Sequence, residues 1–327
     1  MKSRIVRVLV TSVVSLAAAT LVLKAVNWRE AIALFREGSE LIWLLPFLII
    51  AALIALVYGL RWRMLVGSCL GYRDTIIGTI MTLGGNMVLP VRGGDLLRVH
   101  HTKKSTKEPY ANIVSALTTE KLVDLSSLCL LAIIAIPLAF YSSNHETVTD
   151  LNPIGLAVIL AAVLTISIIG IATLRSYRSS ILWALTAICR RLHLSWLLDA
   201  HLKPFLVRAY ELFELRSIAG PVLISIILWL TLYAPSYLII GQFVGIDMTY
   251  LEAMVVLIAG VISLAIPAAP SGLGTYHASV TSSFVLLGRP AAEGLLLATS
   301  IHLLFFVVYV AAASVVFIAR NSRAATD

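Results

Sequence analysis

Six long apolar runs set the first limit on what this chain can fold into. They occupy residues 5–26, 41–60, 111–140, 153–174, 218–241 and 293–319. The hydrocarbon core of a bilayer is about 30 Å thick, and a helix needs about twenty apolar residues to cross it. The chain is 59% hydrophobic and only 13% charged, which excludes an ordinary soluble domain. We therefore predict an all-α polytopic membrane protein with a single membrane domain over residues 1–327.

The net charge of +8 is explained by membrane topology, so no nucleic-acid partner is expected. Basic residues gather in short segments between the apolar runs, as they do in cytoplasmic loops. Lys2, Arg4 and Arg7 precede the first run, and Arg320 and Arg323 follow the last one. Both termini are therefore predicted to be cytoplasmic, in a cell inner membrane. The first run is long for a signal peptide, which favours an uncleaved helix.

Two further segments are too short or too interrupted to cross a membrane. Residues 75–91 have basic residues on both sides and contain Gly84, Gly85 and Pro90. A segment with both ends on one side cannot span, so we predict a re-entrant hairpin that enters from the cytoplasm. Residues 253–288 hold two short apolar runs around the sequence PAAPSGLG. They predict a second re-entrant hairpin, entering from the opposite face.

Spans and hairpins recur in the same order with opposite orientation, which predicts an inverted repeat. Repeat 1 covers about 41–140 and repeat 2 about 218–319. The basic connector at 175–217 predicts amphipathic helices on the inner leaflet. Paired Gly/Pro-interrupted segments in two inverted halves indicate a substrate site near the midplane. Irregular backbone at that depth survives only where it is buried in protein or lines a cavity.

The stretch GGNMVLPVRGGDLLR, residues 84–98, carries the most distinctive polar chemistry. Its glycines permit close backbone approach, and Pro90 interrupts the hydrogen bonding of a helix. Backbone N–H groups beside Arg92 and Arg98 would suit an anion, because a guanidinium can hold a phosphate through two hydrogen bonds. Asp95 could hold either arginine while the site is empty. Under the alternative, both arginines are ordinary cytoplasmic anchors and the glycines form a plain turn.

Three more charged residues, Glu120, Lys121 and Asp124, open the next apolar run. Glu120 and Asp124 are four residues apart and share a helix face. Acidic side chains in a membrane helix are costly and usually point to a partner or a cavity. Arg92, Arg98 or Lys121 could be that partner. The alternative is a shallow, water-exposed position at the start of the helix.

These motifs resemble a known family, the flippase-like membrane module shared by lysylphosphatidylglycerol synthases and stand-alone bacterial and archaeal proteins. The resemblance covers nearly the whole chain. The first motif matches at Asn86, Leu89-Pro90, Arg92, Gly94-Asp95 and the TEKLVD segment; the second matches at Pro267 and Pro270-Ser271-Gly272-Leu273-Gly274. The candidate substrate-binding residues are Asn86, Pro90, Arg92, Gly93, Gly94, Asp95, Arg98, Glu120, Lys121, Asp124, Pro270, Gly272, Gly274 and His277.

The chain departs from the family pattern at two positions of the second motif. His277 stands where the family commonly has a glutamate, and Ser271 replaces a glycine. An imidazole in a polar cavity changes the charge and the pH response, so the coupling mechanism of the family does not carry over directly. The alternative is a histidine that simply hydrogen-bonds to a neighbour.

The resemblance implies a lipid transporter that moves a head group between leaflets through a cavity formed by the two hairpins. An anionic phospholipid or a polyprenyl-phosphate-linked glycan is the expected substrate. We expect no enzyme activity, metal or cofactor, because a synthase domain, catalytic motifs and metal-ligand spacings are all missing from this sequence. Two alternatives stay open: a membrane enzyme using Asp95, Glu120 and Asp124 on a head group, or a scaffold subunit. A second copy or a lipid-synthesis enzyme is a further candidate partner.

Overall fold

A computed structural model describes most of the chain from residue 40 onward. The described residues are 40–89, 92–142, 158, 161–162, 164–165, 176–264, 272 and 274–324. The predicted span at 5–26 and nearly all of the one at 153–174 lie outside them, so these two spans stay predictions. The described residues form helices joined by turns, with no strand among them.

We number eleven helices within this part of the chain. They are α1 (Leu44–Val66), α2 (Tyr72–Val88), α3 (Gly93–Thr106), α4 (Tyr110–Ser142), α5 (Arg178–Arg191), α6 (Lys203–Leu212), α7 (Leu215–Ile227), α8 (Ala234–Phe243), α9 (Tyr250–Ser263), α10 (Thr275–Leu286) and α11 (Ala291–Ala324). A 3₁₀ turn, Leu41–Trp43, precedes α1, and a π-helical turn, Leu228–Tyr233, joins α7 to α8. Two short turns, Ser195–Leu197 and Leu198–Leu202, lead from α5 into α6.

Four helical stretches of the described chain are long and apolar enough to cross a membrane. They are Leu41–Val66, Tyr110–Tyr141, Leu215–Phe243 and Ala291–Ala319. They coincide with four of the predicted runs and extend some of them by a turn or more. Helices suit this setting because they satisfy every backbone hydrogen bond within the segment. The predicted all-α, multi-pass class is confirmed.

Helix α1 shows how these spans divide between lipid and protein. One face carries exposed leucines and an isoleucine at helical spacing: Leu45, Ile49, Leu53, Leu56 and Leu60. The opposite face buries Phe47, Ala51 and Ile54 in the core. A continuous apolar stripe of this kind would be an aggregation hazard in water. In a bilayer such a stripe is suited to contact with lipid.

Helices from both predicted repeats share one apolar core. Phe47 of α1 packs edge-on against Phe305 of α11, with ring centroids 5.1 Å apart. The Tyr309 hydroxyl on α11 donates a hydrogen bond to the Ala51 carbonyl on α1 at 3.2 Å. Residues of α4, α8, α9 and α10 complete the same core. Burial of apolar side chains therefore holds the two predicted repeats together.

Helices α2 and α3 pack against each other at very close range. A Cβ atom added to Gly94 would lie 2.6 Å from the backbone nitrogen of Asn86. One added to Gly85 would lie 2.8 Å from the Gly94 Cα. Real Cβ atoms do not approach other atoms so closely, and glycine is required at both positions for the two helices to touch.

The position of the break in this helix pair differs from the prediction. Helix α2 runs unbroken through Gly84 and Gly85, so the predicted interruption at these glycines is wrong. The break lies between Val88 and Gly93, and Pro90 falls outside the described residues. The two glycines serve packing: Gly84 faces the backbone of α11, and Gly85 faces α3. Helix α2 alone fills most of residues 75–91, the segment predicted as the first hairpin, and α3 lies in the basic stretch after it. A re-entrant path for this segment stays a prediction.

A second helix pair, α9 and α10, stands where the other hairpin is predicted. The residues that join the two helices lie largely outside the described part, Pro270 among them. Gly272 and Gly274 are described, with φ angles of +69° and +92° that favour glycine. The inverted relation of the two repeats stays a prediction.

Candidate functional site

Six charged side chains meet where α1, α3 and α4 come together. We call them the ion cluster: Arg61, Asp95, Arg98, Glu120, Lys121 and Asp124. Three are basic and three acidic, so the formal charges balance. The side chains of Arg61, Arg98 and Glu120 are fully buried. Buried charges survive only when they are paired and hydrogen-bonded. Each charge of this cluster has a partner of opposite sign, and only Nε of Arg61 and Nε of Arg98 have no hydrogen-bond partner among the described residues.

Arg98 and Glu120 form the centre of the ion cluster. Two guanidinium nitrogens of Arg98 donate to the two carboxylate oxygens of Glu120, at 3.1 and 2.6 Å. The Tyr58 hydroxyl donates to the same carboxylate at 2.9 Å. The guanidinium of Arg98 also lies 4.0 Å from the ring centroid of Trp62, a cation–π distance. Burial alone would lower the pKa of Arg98, but the Glu120 carboxylate outweighs it and raises that pKa above its ordinary value.

Arg61 joins the ion cluster to the second repeat. Its Nη2 donates to Asp124 of α4 at 3.0 Å, and its Nη1 makes a second, closer contact with the same carboxylate. Nη1 also donates to the Ser225 hydroxyl of α7 at 2.6 Å. One guanidinium therefore contacts α4 of repeat 1 and α7 of repeat 2 at the same time.

The sequence did not predict that Arg61 belongs to the site. Arg61 is one of the basic residues that precede segment 75–91, and their charge was attributed to the cytoplasmic side of the membrane. The available signal was its position, because α1 continues beyond Arg61 to Val66. A charge inside an apolar helix needs a partner, whereas one that follows the helix needs none. Tyr58 and Trp62 were missed as well, since aromatic residues near helix ends are usually attributed to the membrane interface.

Lys121 occupies the exposed edge of the ion cluster. Its ammonium lies 3.1 Å from Asp95, 3.3 Å from the Tyr58 hydroxyl and 3.5 Å from Glu120. Its side chain is 30% exposed, whereas that of Asp95 is only 7% exposed. Asp95 keeps a second cation, Arg98, at 3.7 Å. Lys121 is thus the cluster cation that an incoming group can reach with the least rearrangement.

The predicted residues Asn86, Gly93 and Gly94 position Asp95. The Asn86 side-chain oxygen accepts a hydrogen bond from the Asp95 backbone N–H at 3.3 Å and so caps the first turn of α3. Gly94 permits the close contact of α2 with α3 described above. Gly93 faces Leu89, whose Cβ would lie 2.7 Å from an added Cβ. These three residues support the site without contributing a charge to it.

Arg92 was predicted as the main anion-binding residue, and the structure places it outside the ion cluster. It is exposed, precedes the first turn of α3, and has a φ of +53°. A left-handed conformation costs a non-glycine residue about 1–2 kcal/mol. Within the described part of the chain, Arg92 makes no hydrogen bond or ion pair. Its guanidinium and the N-terminus of α3 form a separate, accessible positive feature.

His277 belongs to a different group of side chains in the second repeat. It is buried on α10, and its ring stacks on that of His302 of α11 with centroids 5.3 Å apart. Tyr276 lies edge-on to both rings, and its hydroxyl is 2.7 Å from that of Tyr237. Nδ1 of His277 has no hydrogen-bond partner among the described residues. The pairing with His302 could not be read from the sequence.

The sequence model of the lysylphosphatidylglycerol synthase TM region matches residues 5–313 of this chain. The chain belongs to this family. No curated protein and no solved structure matches it. Family membership and the four candidate spans together make this a multi-pass membrane protein of a lipid-related family.

The first motif of this lysylphosphatidylglycerol synthase TM-region protein, with Arg98 close after it, supplies five of the six residues of the ion cluster, and Arg61 of α1 is the sixth. Asp95, Arg98, Glu120, Lys121 and Asp124 come together, and Asn86 and the glycines support them. The second motif leads to the histidine pair, with Gly272 and Gly274 ahead of α10. Among the described residues, no group of three His, Cys, Asp or Glu side chains is suited to hold a metal ion.

Proposed function

We propose that this protein carries the polar head group of a membrane lipid from one leaflet to the other. The observation that supports the proposal is the ion cluster, whose six charges balance and whose Arg61, Arg98 and Glu120 are fully buried beside helices long and apolar enough to span. Unassisted, a charged head group meets several kcal/mol or more at the bilayer centre. A preformed set of ion pairs that can exchange partners lowers the free-energy barrier that such a head group meets on its way across.

Lys121 and Arg92 are the residues we assign to head-group binding. Arg92 and the N-terminus of α3 attract an anionic head group first, because both present positive charge to solvent. The phosphate then competes with Asp95 for Lys121. Asp95 retains Arg98 at 3.7 Å, so the exchange leaves no buried acid without a cation. The substrate we infer is an anionic phospholipid or a polyprenyl-phosphate-linked glycan.

Arg61 supplies the connection between head-group binding and movement. Because its guanidinium contacts both Asp124 and Ser225, any displacement of α7 relative to α4 alters its hydrogen bonds. Rocking of one repeat against the other is how many transporters with internal repeats expose a site alternately. In our proposal the Arg61 contacts exist in two arrangements, and the head group shifts the balance between them.

The two alternative functions receive less support from the geometry. A head-group enzyme would need a carboxylate placed to accept or donate a proton. Asp95, Glu120 and Asp124 are each held by at least one cation within hydrogen-bond or ion-pair distance. A scaffold subunit would need a contact surface and no buried ion cluster. Covalent modification of a lipid by the purified protein would favour the enzyme.

Native mass spectrometry tests the binding step of this proposal. The protein is released gently from its own membranes, as wild type and as the variants Lys121→Met, Arg92→Ala and Lys104→Met. Lys104 is an exposed lysine on α3 and serves as the matched control. We expect wild type and the Lys104 variant to retain a discrete anionic or glycan-linked lipid, and the other two variants to lose it. An identical shell of bulk lipid on all four proteins would overturn the proposal.

A further inference from the structure

Helix α5 lies outside the proposed transport site and exposes an amphipathic stripe. Trp183, Ala187, Arg190 and Arg191 are all exposed and follow the i, i+4, i+7, i+8 spacing of one helix face. Trp183 is 75% exposed. With 14 residues, α5 is about 21 Å long, which is too short to cross a bilayer. A helix of this kind lies in the membrane plane.

The turn that follows α5 continues the exposed apolar surface. Leu192 is 60% exposed and Trp196 is 63% exposed. Tryptophan is enriched at the level of the lipid head groups, because its ring is apolar and its N–H is a hydrogen-bond donor. Two exposed tryptophans, one on α5 and one just after it, therefore mark the depth at which this surface sits.

Charge distinguishes this surface from a plain apolar patch. Between residues 176 and 203 the sequence has four Lys/Arg residues and one acid, Asp199. Arg190 and Arg191 form no ion pair with any carboxylate in the described part of the chain. Unpaired guanidinium groups next to interfacial tryptophans are complementary to phosphate-bearing head groups.

The surface is attached to the helices that carry the ion cluster. The Arg178 guanidinium at the start of α5 lies 5.2 Å from the ring centroid of Tyr210 on α6. Helix α6 packs on α4. From α6, Arg208 donates to the last carbonyls of α1, those of Leu65 and Val66, at 3.1 and 3.3 Å. Lipids bound at α5 would thus gather next to α1 and α4.

We propose that α5 and the turn after it form a binding surface for anionic phospholipid head groups. Trp183 and Trp196 insert at head-group depth, and Arg190 and Arg191 bind the phosphates. Each basic group near an anionic surface contributes roughly fivefold to lipid association, so the arginine pair is the source of the preference. This surface concentrates anionic lipid beside the spans and does not itself require that the protein move lipid.

Tryptophan quenching in nanodiscs tests this surface on the full-length protein. Discs contain phosphatidylcholine and phosphatidylglycerol, and either one or the other lipid is brominated at an equal mole fraction. The variant Trp183→Phe/Trp196→Phe gives the signal of the remaining tryptophans, and the difference from wild type reports on the two exposed ones. We expect brominated phosphatidylglycerol to quench that difference signal severalfold more than brominated phosphatidylcholine, because both arginines favour the anionic lipid.

Two double variants separate the arginine pair from general charge. Arg190→Gln/Arg191→Gln is expected to abolish the preference for phosphatidylglycerol. Lys104→Gln/Arg216→Gln removes the same charge from exposed positions elsewhere and is expected to keep it. Near-UV circular dichroism confirms that both variants are folded. Equal quenching by the two lipids in wild type, or an unchanged preference without the two arginines, overturns the proposal.

Discussion

Glu120 is the residue on which the ion cluster depends most. It receives both terminal nitrogens of Arg98 and the Tyr58 hydroxyl, and it lies 3.5 Å from Lys121. These groups come from α1, α3 and α4, so a single carboxylate holds three helices. Its partners cannot be replaced by water, because the side chain is fully buried.

Removing the charge of Glu120 is predicted to destabilise the protein strongly. Glu120→Gln leaves the buried Arg98 without its carboxylate, and breaking a buried pair in this way costs about 3–5 kcal/mol. Thermal unfolding in detergent measures the loss. Glu293→Gln is the control, because Glu293 pairs with Arg289 in a partly exposed position where the cost is below about 1 kcal/mol. Equal unfolding temperatures for the two variants would contradict this description of the cluster.

Most residues of the ion cluster could be predicted from the sequence, but their pairing could not. Asp95, Arg98, Glu120, Lys121 and Asp124 could be predicted, because charges in apolar surroundings are rare and need partners. Which of them would pair could not, since the pairing depends on how three helices meet. Arg61 was not assigned to the site, because the excess of basic residues on the cytoplasmic side already accounted for its charge.

At the scale of helices, the contact between α2 and α3 positions Asp95 for the site. The spans themselves could be predicted closely, because the length of an apolar run is a local property of the sequence. The path of α2 through Gly84 and Gly85 could not. In this pair glycine allows one backbone to touch another, which only the packed structure reveals.

A methyl group at Gly94 is predicted to separate α2 from α3. Gly94→Ala places a Cβ 2.6 Å from the Asn86 nitrogen, and overpacking of this kind costs about 1–3 kcal/mol. Asp95 then loses its cap, so lipid retention falls together with unfolding temperature. In Gly71→Ala the nearest atom to the new Cβ is 3.9 Å away, and no loss is expected. A Gly94→Ala protein that unfolds and binds lipid as wild type does would refute this role of the helix pair.

Across the whole molecule, the contact of Arg61 with Ser225 is the polar connection we assign to coupling of the two repeats. Ser225→Ala removes one hydrogen bond to a charged group, at a cost of about 1.5–3 kcal/mol, while Asp124 still holds Arg61. We expect lipid to bind normally and to move between leaflets more slowly. Ser236→Ala is the control, because that hydroxyl donates only locally, to Tyr233. An unchanged rate of lipid transfer in Ser225→Ala would show that the contact of Arg61 with Ser225 does not couple the two repeats.

The overall arrangement of the helices could be predicted from the sequence only in part. Charge bias and broken apolar runs predict an inverted repeat, and the described helices follow the predicted order. The shared core of α1, α4 and α8 to α11 could not be predicted, because it joins residues more than 200 positions apart, as in the Tyr309 bond to Ala51. His302 was not expected beside His277 either, because that contact depends on how α10 packs against α11.

Leaflet transfer in proteoliposomes tests the central claim most directly. Vesicles contain a fluorescent phosphatidylglycerol, and a reductant added outside reports how fast the inner label becomes accessible. We predict transfer above that of protein-free vesicles for wild type and Lys104→Met, and a loss of about tenfold or more for Lys121→Met, because the phosphate no longer has a cluster cation to exchange with. The same rate for Lys121→Met as for wild type, with both proteins folded, would contradict head-group passage through the ion cluster.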